Sequence, residues 1–119
     1  MFSLGSSDRY LLYLQPCDMR KSFDALSGIV SGELKRSAIG GEVFIFLNKR
    51  RTHIKMLHWE NGGFVLYYKR LEKGTFTPPV LEQDGTISWS DLVLMIEGIQ
   101  VQKSIRKQRF SLKENNIFS

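Results

Sequence analysis

The sequence predicts an α+β domain in which a mainly antiparallel sheet of about four strands carries two helices. Short runs rich in β-branched and aromatic residues alternate with two segments of helical periodicity. The dipeptide Asn61-Gly62 separates two of these runs and is the strongest local signal for a β-hairpin. With 119 residues, 42% of them apolar and 24% charged, the chain suits one globular domain with a modest core.

The first half of the chain predicts a strand, a helix and a second strand. Pro16 has no amide donor, so the first strand should end before it. Asp18 is a candidate N-cap for a helix that continues to about Arg36, because apolar residues recur there at spacings of three and four. The strands predicted along the whole chain are residues 10–14, 43–47, 53–59 and 64–70, with a short strand or turn at 85–88.

The hairpin loop predicts which residues of its two strands face each other. If Asn61-Gly62 is the loop, the opposed pairs on one face are Trp59 with Phe64, Leu57 with Leu66, Lys55 with Tyr68, and His53 with Arg70. The other face pairs His58 with Val65, Met56 with Tyr67, and Ile54 with Lys69. Each face is therefore apolar near the loop and basic at the open end of the hairpin.

A second helix and a basic tail complete the chain. Ser88 and Asp91 have the spacing of a capping box, and Leu92 and Met95 begin the apolar face of the helix that follows. Gly98 is the candidate C-cap. The folded domain is expected to span residues 1–101, and residues 102–119 form a basic tail that is either helical or flexible.

The distribution of charge favours nucleic acid as a partner. The chain has a formal charge of +5, and seven Lys and Arg face only two acids between Asn48 and Lys73. Basic side chains on a sheet rich in aromatic residues can hold phosphates and stack bases. The alternative is that these cations only protect an exposed edge strand from pairing with other chains.

Arg20 and Lys21 are predicted to lie in the first turn of the first helix, where the helix dipole disfavours cations. A phosphate bound there would offset this cost; alternatively, Arg20 pairs with Asp18 or Asp24. Tyr68 is the best candidate for stacking on a base, because it opposes Lys55. The candidate nucleic-acid contacts are Arg20, Lys21, Lys49, Arg50, Arg51, Lys55, Tyr68, Lys69, Arg70 and Lys73.

The sequence contains no recognisable catalytic, cofactor or metal motif, so we expect no enzyme activity, no cofactor and no metal. His53 and His58 point to opposite faces of one strand and cannot share an ion. Cys17 is the single cysteine, which favours a reducing cytoplasm. No apolar run is long enough to span a membrane, and the N-terminus does not resemble a signal peptide.

Several blocks of the chain resemble a known family. They are Asp-Met-Arg-Lys-Ser-Phe at 18–23, Ile-Lys-Met-Leu-His-Trp at 54–59, Tyr-Lys-Arg-Leu-Glu-Lys-Gly-Thr-Phe at 68–76, and Ile-Glu-Gly-Ile at 96–99. In their order and spacing they resemble the small TnpB accessory proteins of insertion sequence family 66, which are distinct from the RNA-guided nucleases of the same name. Residues beyond Ile99 lie outside this pattern.

The resemblance implies a bacterial protein of a mobile genetic element that acts beside a separately encoded transposase. It implies no catalytic residues. Together with the charge pattern, it predicts a non-enzymatic accessory factor for DNA transposition that binds DNA through the basic residues. The alternative is a protein-interaction subunit that docks on the transposase without touching DNA, which would require an exposed apolar patch around Trp59 and Phe64.

Overall fold

The computed structural model describes residues 4–97, and they form one five-stranded sheet with a helix on each face. The elements in chain order are β1 (Tyr10–Tyr13), α1 (Phe23–Gly32), β2 (Val43–Leu47), β3 (His53–Glu60), β4 (Gly63–Arg70), β5 (Thr86–Ile87) and α2 (Trp89–Ile96). The predicted C-cap Gly98 and the basic tail at 102–119 lie outside the described residues.

The strands are arranged in the order β4-β3-β2-β1-β5. β1 and β2 are parallel because α1 connects them as a crossover, whereas every other neighbouring pair is antiparallel. The prediction of an α+β fold is confirmed. The sheet has one strand more than the four expected, because residues 86–87 pair with β1 at its edge.

The register predicted from Asn61-Gly62 is confirmed along the whole hairpin. His53 faces Arg70, Lys55 faces Tyr68 and Trp59 faces Phe64. Asn61 and Gly62 both have positive φ values, 52° and 82°, which is the conformation that a tight hairpin loop requires.

Each face of the sheet buries its own apolar cluster. Leu26 and Val30 of α1 cover one face, packing with Phe44, Phe46 and Leu57. The opposite face is covered by α2 and by the segment that follows β4, through the buried residues Leu92, Met95 and Phe76. Ser88 caps α2 as predicted, since its hydroxyl accepts a hydrogen bond from the amide of Asp91 at 3.1 Å.

The predicted bounds of the first helix are wrong at both ends. The helix begins at Phe23, so Asp18 is not its N-cap, and Arg20 and Lys21 precede the helix instead of occupying its first turn. The last helical residue is Gly32, not Arg36. Lys35 has a left-handed φ of 56°, which an α-helix cannot contain, so the chain has turned away before residue 36.

Candidate nucleic-acid interface

The turn between β2 and β3 presents three consecutive cations, Lys49, Arg50 and Arg51, and all three are exposed. Asn48 fixes this turn: its side-chain oxygen accepts hydrogen bonds from the amides of Thr52, at 2.9 Å, and of residue 53, at 3.0 Å. The amide of Arg51 in turn donates to the Asn48 carbonyl at 3.0 Å. The backbone of the turn is therefore ordered while its charged side chains remain in solvent.

The segment after β4 lies against this turn and adds a fourth exposed cation, Lys73. The amide of Leu71 donates to the Thr52 carbonyl at 2.8 Å, and the amide of Phe76 donates to the Arg51 carbonyl at 2.7 Å. Because the Phe76 side chain is buried in the core, the segment is anchored on both sides of Lys73. Lys73 is thus held at the same end of the sheet as the turn.

The segment before α1 reaches the same end of the sheet. The amide of Cys17 donates to the carbonyl of Leu47, the last residue of β2, at 2.9 Å. Asp18 accepts hydrogen bonds from the Arg20 guanidinium, at distances of 2.6–3.1 Å, and from the Arg20 amide at 2.9 Å. These bonds lower the pKa of the Asp18 carboxyl below its ordinary value. Lys21 is exposed beside this pair.

Lys55 is buried, with 6% of its surface exposed, although the sequence placed it among the phosphate contacts. Its Nζ donates to the carbonyls of Met19 and Lys21, both at 2.8 Å, and lies 4.6 Å from the centre of the Tyr68 ring. Lys55 therefore links the segment before α1 to the hairpin.

Lys69 is also engaged with the backbone. Its Nζ donates to the carbonyl of Ile96, the last residue of α2, at 2.8 Å. A cation at this position satisfies a carbonyl at the helix end and complements the helix dipole. Lys69 therefore belongs to the α2 face of the sheet, which it shares with Ile54 and Tyr67 as the hairpin register predicted.

Tyr68, His53 and Arg70 share the α1 face of the hairpin at its open end. With Glu72 they line an open depression. The rings of His53 and Tyr68 are 5.9 Å apart, and Arg70 is paired with Glu72 at 2.8 Å. Tyr68 is 52% exposed, so the aromatic ring is accessible from solvent.

Charge is unevenly distributed over residues 4–97, which contain twelve Lys and Arg and eleven Asp and Glu. Where β1 and β2 begin, Glu42 pairs with both Arg9 and Arg36. At the other end of the sheet, five exposed cations form no ion pair with any acidic side chain in the described part: Lys21, Lys49, Arg50, Arg51 and Lys73. We call these five residues, together with Arg20 and Arg70, the cationic end.

Residues 8–106 match the sequence profile of the family described as IS66 Orf2-like protein, TnpB_IS66. This chain belongs to the IS66 Orf2-like family. It is 30% identical over 102 residues to the uncharacterized protein y4jC of Sinorhizobium fredii (strain NBRC 101917 / NGR234), covering 83% of this chain and 86% of the relative. It is 29% identical over 100 residues to y4hO of the same strain, covering 83% and 87%. No solved structure matches.

Membership in the IS66 Orf2-like family indicates an accessory role associated with transposition, and the family is not known for an enzyme activity. The profile match begins at residue 8 and ends at residue 106, so it extends beyond the blocks recognised in the sequence and includes the start of the basic tail. In the structure, three of those blocks meet at Lys55: its own strand, the segment at 18–23, and Tyr68 at the start of the third block.

Within residues 4–97 no cluster of three or more His, Cys, Asp or Glu side chains is arranged to hold a metal ion. No helix in that range is long and apolar enough to cross a bilayer.

The apolar patch required by the protein-docking alternative is weak at its expected position. Trp59 and Phe64 are each partly buried, and their rings pack edge to face with centres 5.0 Å apart. Neither belongs to the strongly exposed apolar side chains of residues 4–97, which are scattered at Leu14, Phe23, Ile39, Tyr68 and Val80.

Proposed function

We propose that this protein is a non-enzymatic accessory factor for transposition of an insertion sequence and that it binds DNA through the cationic end. The observation that carries the proposal is that Lys21, Lys49, Arg50, Arg51 and Lys73 are exposed, form no ion pair within residues 4–97 and lie at one end of the sheet. Family membership supports the role in transposition, and the exposed cations support DNA as the proposed partner.

An ordered turn is a favourable platform for phosphates. The backbone bonds of Asn48 hold the turn in place, so binding need not pay the full cost of ordering a loop. The long cationic side chains can then follow the phosphates of either a single or a double strand. Contacts to phosphates position a protein on DNA without reading its sequence, so we expect weak sequence preference.

Arg20 and Arg70 can join these contacts because their present partners hold them weakly. Both pairs, with Asp18 and with Glu72, are exposed to solvent. Ion pairs in that environment contribute little to stability, so a phosphate can compete with the carboxylate for the guanidinium. Lys55 and Lys69 remain in their backbone contacts and support the surface from within.

A salt-dependent binding titration tests this proposal. If the five unpaired cations neutralise five phosphates, the slope of log K against log salt on duplex DNA should be about −4 to −5, and contacts from Arg20 and Arg70 would make it steeper. Fluorescence anisotropy with an element-end duplex and an unrelated duplex of equal length would give both the slope and the sequence preference. Lys35→Gln is the matched control, because Lys35 is also exposed and follows α1 away from the cationic end.

The same titration separates the two candidate functions. Binding that is steep in salt and similar on both duplexes supports the DNA proposal. A flat salt response, or no binding at about 50 mM salt with micromolar protein, contradicts it. The protein would then be assigned to the alternative, and direct binding to the purified transposase of its element would be the next measurement.

A further inference from the structure

Tyr68 is an aromatic side chain that the fold leaves half exposed instead of burying. It lies near the end of β4, and its ring borders the open depression shared with His53, Arg70 and Glu72. The cationic turn is at the same end of the sheet, because His53 begins β3 directly after the turn. An accessible ring beside a row of phosphate-binding side chains has the composition of a single-strand binding surface.

The ring is supported from the protein side. The Lys55 ammonium lies 4.6 Å from the ring centre and is itself buried, so it occupies the inner face of the ring. Lys55 is in turn fixed by the carbonyls of Met19 and Lys21. The orientation of Tyr68 is therefore set before any ligand arrives, and 52% of the residue remains exposed to a stacking base.

We infer that Tyr68 forms a stacking site for one unpaired base of a DNA strand whose neighbouring phosphate binds Arg70. The inference rests on the proposed function and specifies its substrate class: DNA with an unpaired nucleotide, either as a single strand or at a disrupted duplex end. Arg70 is close enough to share the depression, and its exposed pair with Glu72 can open to admit a phosphate.

The test uses two single strands with the same number of phosphates, one with normal bases and one made entirely of abasic sites. Backbone contacts bind both strands equally, whereas stacking needs the base. We expect the wild-type protein to bind the strand with bases about tenfold more tightly. Tyr68→Phe keeps the ring and should keep this preference. Tyr68→Ala and Tyr68→Leu should abolish it and leave binding to the abasic strand unchanged.

Each result decides a different point. Equal binding of both strands by the wild-type protein, with a steep salt slope, overturns the base site and leaves the proposed function standing. No binding of either strand at low salt overturns both. If Tyr68→Leu folds with the wild-type melting temperature and retains the tenfold preference, the ring serves only to shield Lys55, and the base site is also overturned. Arg50→Gln should weaken both strands alike, which controls for a general loss of charge.

Discussion

Replacing Lys55 with Met should destabilise the domain, whereas replacing a nearby exposed cation should leave its stability almost unchanged. The change keeps the apolar stem and removes the ammonium. The carbonyls of Met19 and Lys21 then lose their donor, and Tyr68 loses the cation beneath its ring. Lys49→Met is the matched control, because Lys49 is exposed and has no acidic partner in residues 4–97.

The magnitude follows from opposing effects. Hydrogen bonds from a charged donor contribute about 1.5–3 kcal/mol each, and the cation–π contact adds about 0.5–2 kcal/mol. These hydrogen-bond values already include the loss of water from the ammonium, but the apolar Met side chain fills the same space and offsets part of the loss. The net loss in the free energy of unfolding should be about 1–3 kcal/mol, or roughly 5–20 °C in melting temperature for a domain of this size.

Thermal unfolding followed by circular dichroism measures this difference. Lys49→Met should lie within about 0.5 kcal/mol of the wild type. If Lys55→Met is as stable as Lys49→Met, the hydrogen bonds from Lys55 to the segment before α1 do not stabilise the fold, which would contradict this prediction.

Four further predictions follow from the contacts. Arg70→Ala should weaken DNA binding, measured by anisotropy, by about 1 kcal/mol more than Lys69→Ala. Lys69→Ala should mainly lower the melting temperature, because its ammonium binds the Ile96 carbonyl. Equal losses of binding would indicate that DNA is held by the overall charge of the surface and not by particular residues. Arg20→Ala should weaken binding with an unchanged melting temperature, since its side chain is exposed; a drop of several degrees would make it structural. Asn48→Ala should cost about 1–2 kcal/mol of stability in chemical denaturation and should also weaken DNA binding by loosening the turn. Hydrogen bonds from Thr86, and then from Arg9, lower the pKa of Asp84 from 3.8 to about 2. The stabilisation from the ionised carboxylate is therefore complete above about pH 4 and is lost as the pH falls towards 2. Asp84→Asn should reduce the loss of stability over this pH range, and an unchanged loss would contradict this assignment.

The hairpin was the most predictable part of the fold because its determinants are local. Asn61-Gly62 sets the loop, the loop sets the register, and the register alone placed Lys69 with Ile54 and Tyr67 on one face and Arg70 on the other. The parallel pairing of β1 with β2 was not predicted; such a pair needs a crossover connection, and α1 supplies it.

The start of α1 was predicted too early, because Asp18 forms a local turn with Arg20 and Lys21 and the helix begins only after Ser22. A helix beginning at Asp18 would use the carbonyls of Met19 and Lys21 in its own hydrogen bonds. In the fold, these carbonyls accept from Lys55, which is more than thirty residues away in sequence. Local periodicity contains no signal for this long-range contact, which also buries the Lys55 ammonium that the sequence placed among the phosphate contacts.

The candidate site was predicted in its residue types more than in its geometry. The cations of the turn were predicted from their clustering in the sequence. The role of Asn48, whose side-chain oxygen accepts the two amides that hold the turn, was not predicted. An Asn directly after an apolar strand and four residues before Thr52 is the pattern that could have indicated it. The pairing of Arg20 with Asp18 was one of the two alternatives that its neighbours allowed.

The most direct test of the DNA-binding proposal compares salt slopes between variants. Lys49→Gln, Arg50→Gln and Arg51→Gln combined in one protein remove the cations of the turn and leave its backbone contacts in place. If each cation neutralises one phosphate, the slope of log K against log salt on duplex DNA should fall in magnitude by about 3 relative to the wild type. The control Lys35→Gln should change it by far less than 1. A triple variant with the wild-type slope would contradict the account, because the phosphates would then be bound elsewhere.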